Sequence, residues 1–350
     1  MASQTNKIIF ILGHGRSGTT LLNKVLTAHP QIHFINWEFD DLVVFYQRQS
    51  YYDRYGVKKY EVMAKDFFRH PWINLLSFPY NLIDWSQVKD FHGWLDLIFN
   101  YYRQKTGKSI IGVKIANNLH RVKNTIANMR MIQTVLPDAY CLQIVRDPCD
   151  IFLSFRKIRV LPWFLSPYYF GWFWAKAVTN IASLQQTNKY YQLKYEDLIS
   201  QPEQEINKIC DFLGIPFDAM MLKFYLNPEE VRLSQANLKK DFISANFNKW
   251  PKELRPETVK LISQAARQAM LDFGYLGNDR YDEIKFTQKI REKIKMAFYF
   301  LINYFIPWVV RLKIKFKIDY FFGLCGLILK KYSPSFYWFL KRRALKNIDW

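Results

Sequence analysis

The chain has 350 residues, half of them hydrophobic and 18% aromatic, enough for one α/β domain of about 250–280 residues plus an appendage. Its formal net charge is +20, yet no zinc-finger spacing or RNP-like motif accompanies it, so nucleic acid is not the expected partner. Cys141, Cys149, Cys210 and Cys325 have neither pairing nor metal-ligand spacing, which argues against a disulfide framework and suits a reducing compartment.

The apolar run Ile8–Leu12 predicts a buried strand of a parallel sheet. A turn with Gly13, Gly15 and Gly18 follows, and from Thr19 the spacing is helical until His29-Pro30 stops it. Strand, glycine turn and helix together point backbone N–H groups and a helix N-terminus at an anion. Gly13–Thr20 matches most of the nucleotide-loop pattern G-x-x-x-x-G-K-[ST], but Thr19 stands where the lysine belongs and the positive charge is moved to Arg16. A kinase or ATPase uses that lysine on its terminal phosphates, usually with magnesium. Arg-Ser-Gly-Thr-Thr can hold a 5′-phosphate through amides and hydroxyls without a metal. With the first strand starting at Lys7, no room is left for a signal peptide or N-terminal anchor, and a cytoplasmic setting is expected.

Gln31–Asn36 reads as a second strand with Trp37-Glu38 at its carboxyl end, the end at which open α/β sheets bind ligands. Residues 40–109 are aromatic-rich, with helical patches at Asp41–Gln49, Val57–Phe68 and Phe91–Thr106, and are expected to be an inserted lid region. Ser109–Ile115 is a short strand carrying Lys114, followed by a helix over Arg121–Leu136. Tyr140–Val145 is another buried strand, ending in Arg146-Asp147-Pro148, with a helix from Pro148 to about Arg156. Asp147 is either a helix cap or, on a nucleotide-hydrolase reading, a magnesium-holding acid, and Arg146 beside it favours anion binding. Val160–Trp174 is dense in aromatic residues and reads equally as an acceptor-pocket wall or as a second core cluster. A helix over Phe173–Gln186, a strand over Tyr190–Lys194, and helices over Pro202–Leu213 and Pro256–Phe273 complete the domain.

GRSGTTLL after an N-terminal strand resembles the 5′-phosphosulfate loop of the sulfotransferases that use 3′-phosphoadenosine 5′-phosphosulfate (PAPS), especially the tyrosylprotein-sulfotransferase-like and bacterial branch. Arg146 and Ser154, eight apart, resemble that family's 3′-phosphate motif, and Tyr195–Pro216 resembles the element whose tyrosine approaches the adenosine. Arg232-Leu233-Ser234 and Lys249-Trp250 resemble its nucleotide-covering loop more loosely. The resemblance spans roughly Lys7–Gly277 and implies a P-loop three-layer fold, a central parallel sheet flanked by helices, over residues 1–280. It implies PAPS held by Gly15, Arg16, Ser17, Gly18, Thr19, Thr20, Arg146, Ser154, Tyr195, Ser234 and Lys249, with no metal expected. The implied reaction is in-line sulfuryl transfer to a hydroxyl or amine acceptor, with Arg16 and Lys114 neutralising the charge on the departing oxygen. The general base in the matching branch is a glutamate after A-H-P and the second strand. Here Ala28-His29-Pro30 is followed by Glu38, one residue beyond the expected spacing, with His33 and Asp40 as fallbacks. The alternatives on the same fold are a nucleotide phosphotransferase or NTPase, and a non-catalytic membrane-associated adaptor.

Residues 281–350 form a different, basic and aromatic extension. From Lys285 to Trp350 there are 15 basic and 3 acidic residues, so +12 of the net +20 lies there. Its apolar runs are shorter than the ~20 residues that span a bilayer. Basic clusters alternating with Trp, Tyr and Phe fit attachment to an anionic membrane surface, peripheral at the inner face, the alternative being a helical extension packed on the core or on another subunit. The expected acceptor is an unidentified hydroxylated carbohydrate, glycolipid, small molecule or peptide.

Overall fold

Five strands form one fully parallel sheet in the order β2-β3-β1-β4-β5, with β1 (Lys7–His14) at its centre. The computed structural model describes residues 6–38, 42–69, 78–80, 83–117, 122–157, 166–226, 247–276 and 286–300, with backbone alone at 36–38, 69, 117, 122–125, 289, 296 and 298–300. In chain order, α1 (Thr19–Thr27) and β2 (Ile32–Glu38) follow β1, then α2 (Leu42–Gln47), α3 (Gln49–Tyr52), α4 (Lys59–Arg69) and α5 (Phe91–Thr106). Next come β3 (Ile110–Asn117), α6 (Val122–Val135), β4 (Tyr140–Val145), α7 (Pro148–Lys157), α8 (Pro167–Ala182) and β5 (Lys189–Lys194). After β5 stand α9 (Tyr195–Ser200), α10 (Pro202–Leu213), α11 (Trp250–Glu253), α12 (Pro256–Asp272) and α13 (Phe286–Phe300).

The period of two along β1 explains the three layers. Phe10 and Leu12 pack into one cluster with α4, α5 and α6, while Ile9 and Ile11 pack into another with α1, α9 and α10. All four are fully buried, as a strand covered on both faces requires. A third cluster joins α7, α8 and α12. There Gly171 lies against the backbone of Ile262, so close that a Cβ would overlap its carbonyl oxygen and come within 3.0 Å of its Cα.

Several expectations change shape. The described part of 42–106 is no separate lid: Met63, Phe67, Trp94 and Phe99 are fully buried beside Phe10 and Val113 of the sheet, and form its covering layer. The aromatic stretch before Trp174 falls in two parts, with 158–165 outside the described residues. Its remainder begins α8 six residues ahead of the predicted start, because the Ser166 hydroxyl accepts the Tyr169 N–H at 3.1 Å and Pro167 occupies the first turn. Phe170, Phe173 and Trp174 are buried there, so the core reading holds for this part. Cys141, Cys149 and Cys210 are free buried thiols.

β2 departs from a regular ladder. Phe34 pairs with Gly112 and Glu38 with Lys114, so β2 carries two extra residues between these points. The irregularity sets the Glu38 backbone level with Lys114.

Candidate functional site

The site gathers at the carboxyl ends of β1, β3 and β4, where the strand order reverses around β1. The turn after β1 folds back tightly: the Ser17 N–H donates to the His14 carbonyl at 3.0 Å. Arg16 and Gly18 both take positive φ, 73° and 99°. At Gly18 a side chain would also collide with the Tyr195 ring, so glycine is required twice over. Successive turned-out amides of this kind form a concave anion cradle. The N-terminus of α1 adds to it, having no side-chain cap and no acidic residue in its first turn. The Ser17 hydroxyl is buried and has no hydrogen-bond partner among the described residues. An anion seated in the cradle supplies the acceptor that this donor requires.

The two arginines expected to form separate cradles are joined. Arg146 Nη1 donates to the Arg16 carbonyl at 3.2 Å, and its guanidinium carbon lies 4.2 Å from the centre of the Tyr195 ring. Arg16 Nε in turn donates to Ser154 Oγ at 3.1 Å. Burial, then the neighbouring Arg146 charge, lowers the Arg16 pKa from its ordinary value. Two guanidinium groups held together at partial burial make a site for a compensating anion. On the other side of the turn, Lys114 Nζ donates to Thr20 Oγ1 at 3.2 Å.

Asp147 fits the cap reading. Its Oδ1 accepts the Cys149 N–H at 2.7 Å at the start of α7, and its Oδ2 accepts the Trp250 indole N–H at 3.1 Å. Glu196, at the start of α9, reaches the end of β4: it accepts the Asp147 N–H at 3.1 Å and the Tyr275 hydroxyl at 2.8 Å. Burial pushes Asp147 up to about 7 and raises Glu196 as well. His14 is fully buried among Phe155, Phe170 and Phe173, and burial lowers its pKa to about 4.

Of the sequence candidates, Gly15, Arg16, Ser17, Gly18, Thr19, Thr20, Lys114, Arg146, Ser154 and Tyr195 come together at this edge. Lys249 reaches the start of α7 through its backbone N–H, which donates to Asp150 at 3.0 Å. Ser234 and Asp40 lie outside the described residues. His33 stands apart: its register partner is Ile111, toward the other end of β3, and its ring stacks on Tyr102 at 5.8 Å. Asp150 and Tyr275 were missed. No local pattern pairs Asp150 with a segment 98 to 100 residues further on. Among the described residues no group of His, Cys, Asp and Glu is disposed to hold a metal ion.

A parallel sheet, a glycine turn after its central strand and cations at its carboxyl edge define a P-loop α/β protein with an altered phosphate loop. The chain belongs to the Sulfotransferase family, whose sequence profile matches residues 9–219. It is similar to the omega-hydroxy-beta-dihydromenaquinone-9 sulfotransferase Stf3 of Mycobacterium bovis and of Mycobacterium tuberculosis, 22% identical over 249 residues, 59% of this chain and 62% of either relative. The chain thus spans about 62% of the length of these curated relatives. Among solved structures it is similar to the sulfotransferase domain from the curacin biosynthetic pathway, with 22% identity over 75% of this chain and 98% of that one and a TM-score of 0.48. The sulfotransferase domain of the Synechococcus PCC 7002 olefin synthase gives 22% identity, 75% and 95% coverage and a TM-score of 0.47.

Proposed function

We propose that the chain transfers a sulfuryl group from PAPS to an acceptor hydroxyl or amine and releases 3′-phosphoadenosine 5′-phosphate (PAP). The observation that carries this reading is the Arg146–Arg16–Ser154 chain of hydrogen bonds, which places two cations beside a phosphate cradle. The buried Ser17 hydroxyl and the absent cap on α1 fit a bound 5′-phosphate. Tyr195, stacked under Arg146, fits the adenosine end, and Ser234 and Lys249 are assigned to the same donor by resemblance.

In the transfer, the bond between sulfur and the bridging phosphosulfate oxygen breaks as the acceptor oxygen forms its own bond to sulfur. Negative charge grows on the departing oxygen, and Arg16 and Lys114 are the side chains assigned to neutralise it. Glu38 is assigned to take the acceptor proton, supported by the two-residue irregularity that levels its backbone with Lys114. A phosphotransferase reading finds less support, since Asp147, its metal-holding candidate, is engaged with Cys149 and Trp250.

We assign the acceptor to hydroxylated amphiphiles. The Stf3 relatives are named for a hydroxylated menaquinone derivative. On α13, Phe286, Ile290 and Ile294 recur every fourth residue and are 76%, 43% and 64% exposed, beside exposed Arg291 and Lys293. An apolar stripe with basic flanks suits an anionic lipid surface. No helix among the described residues is long and apolar enough to cross a membrane.

Thermal-shift measurement with PAP against ATP plus magnesium tests the donor. PAP is expected to raise the melting temperature, and stabilisation by ATP alone would overturn the reading. A labelled-sulfate transfer screen over lipid extracts, with products identified by mass spectrometry, then identifies the acceptor.

A further inference from the structure

One face of α7 carries two anchors a turn apart. Ser154 accepts Arg16 Nε at 3.1 Å, while Asp150, one turn nearer Arg146, accepts three successive backbone N–H groups. These come from Asn248 at 2.5 Å, Lys249 at 3.0 Å and Trp250 at 3.2 Å. Asp150 is only 3% exposed. A buried carboxylate taking up three amides forms a strong, geometrically exacting joint. The joined segment is itself unusual, with Asn248 at a φ of 54° and the Trp250 indole fastened to Asp147.

We infer that Asp150 is a positioning residue that holds Lys249 at the Arg146 end of the nucleotide site, so that the start of α7 sets Arg146 and Lys249 around one anion. Arg146 immediately precedes Asp147 and the helix, and Lys249 is tied through its backbone to Asp150. Because the carboxylate touches backbone amides, its effect on the ligand passes through the position of Lys249. The inference rests on the donor proposed above and concerns the end bearing the 3′-phosphate.

The test measures PAP and AMP binding by calorimetry to the full chain and to D150N, K249A and the double variant, with melting temperatures alongside. AMP lacks the 3′-phosphate, so it reports a general loss of structure. Each single variant is expected to weaken PAP by roughly tenfold, the size of one charge-assisted hydrogen bond, and to leave AMP within about twofold. The double variant is expected to be no weaker than the poorer single by more than about twofold, since both remove one coupled contribution. Unaltered PAP affinity in D150N, equal losses for PAP and AMP, or a double-variant loss equal to the product of the single losses would each overturn the inference. If D150N melts too low to titrate, D150E keeps the charge but displaces the segment by a methylene, and the same comparisons with K249A decide. Failure of the unmutated chain to bind PAP is a different outcome, one that removes the proposed donor itself.

Discussion

Arg146 shows how one side chain can hold a loop at the edge of the sheet. One of its nitrogens steadies the Arg16 carbonyl, and its flat face lies on Tyr195, a stacking that lysine cannot reproduce. Replacement R146K is therefore expected to weaken PAP by about tenfold or more, read by calorimetry, despite the retained charge. Glu38 answers to a different measurement. E38Q is expected to cut turnover by about 10²–10⁴, the usual worth of a general base, while PAP affinity stays near that of the parent. Retained turnover in single-turnover assays would move the role elsewhere. Asp147 carries a pH signature. Burial raises its folded-state pKa from 3.8 to about 7, so between those values the folded chain holds a proton that the unfolded chain has released. Its contribution to stability is present below about pH 4 and lost as pH rises towards 7. The melting temperature of D147N relative to the parent is therefore expected to climb across that interval and level off above it. A flat difference would mean that Asp147 is ionised throughout.

Element packing imposes its own limits. Helices α8 and α12 cross at Gly171 closely enough that Ile262 backbone fills the place of a Cβ. Neither backbone can yield as a side chain would, so G171A is expected to cost roughly 1–3 kcal/mol, measured by denaturant unfolding. The loop after β1 is constrained in the same way. G18A combines a left-handed φ of 99° with collision against Tyr195, so PAP binding is expected to be lost before the fold is, because α1 and β1 keep their buried residues on both sides of the turn.

At the scale of the whole molecule, α13 is tied to the start of α12 through Glu257, which accepts from Arg291 at 3.0 Å and Gln288 at 2.8 Å. The ion pair is solvent-exposed and therefore contributes little to stability. Exchanging Phe286, Ile290 and Ile294 for serine in the full chain is accordingly expected to leave the melting temperature within a few degrees while reducing sedimentation with anionic vesicles. Unchanged sedimentation would end the membrane proposal, and a change of oligomeric state would assign the stripe to a second copy of the chain.

Much of this protein was legible in the sequence for local reasons. Short runs of strand-favouring residues marked all five strands, and the ends of α5 and α10 follow from residues immediately beside them, as with Gly214 closing α10 at a φ of 59°. The glycine turn, Arg16 and Arg146 were legible because each motif is contiguous or spans a single helix. Tertiary structure alone decided what depends on contacts between distant segments. It joined the two arginines through the Arg16 carbonyl and drew Lys114 onto Thr20. It turned the expected lid into a layer of the core, and placed Glu196 and Asp150 on partners far along the chain. Hydrophobic period and backbone propensity are properties of neighbours in sequence, whereas a buried hydrogen bond is satisfied by whichever group the packed sheet brings within reach.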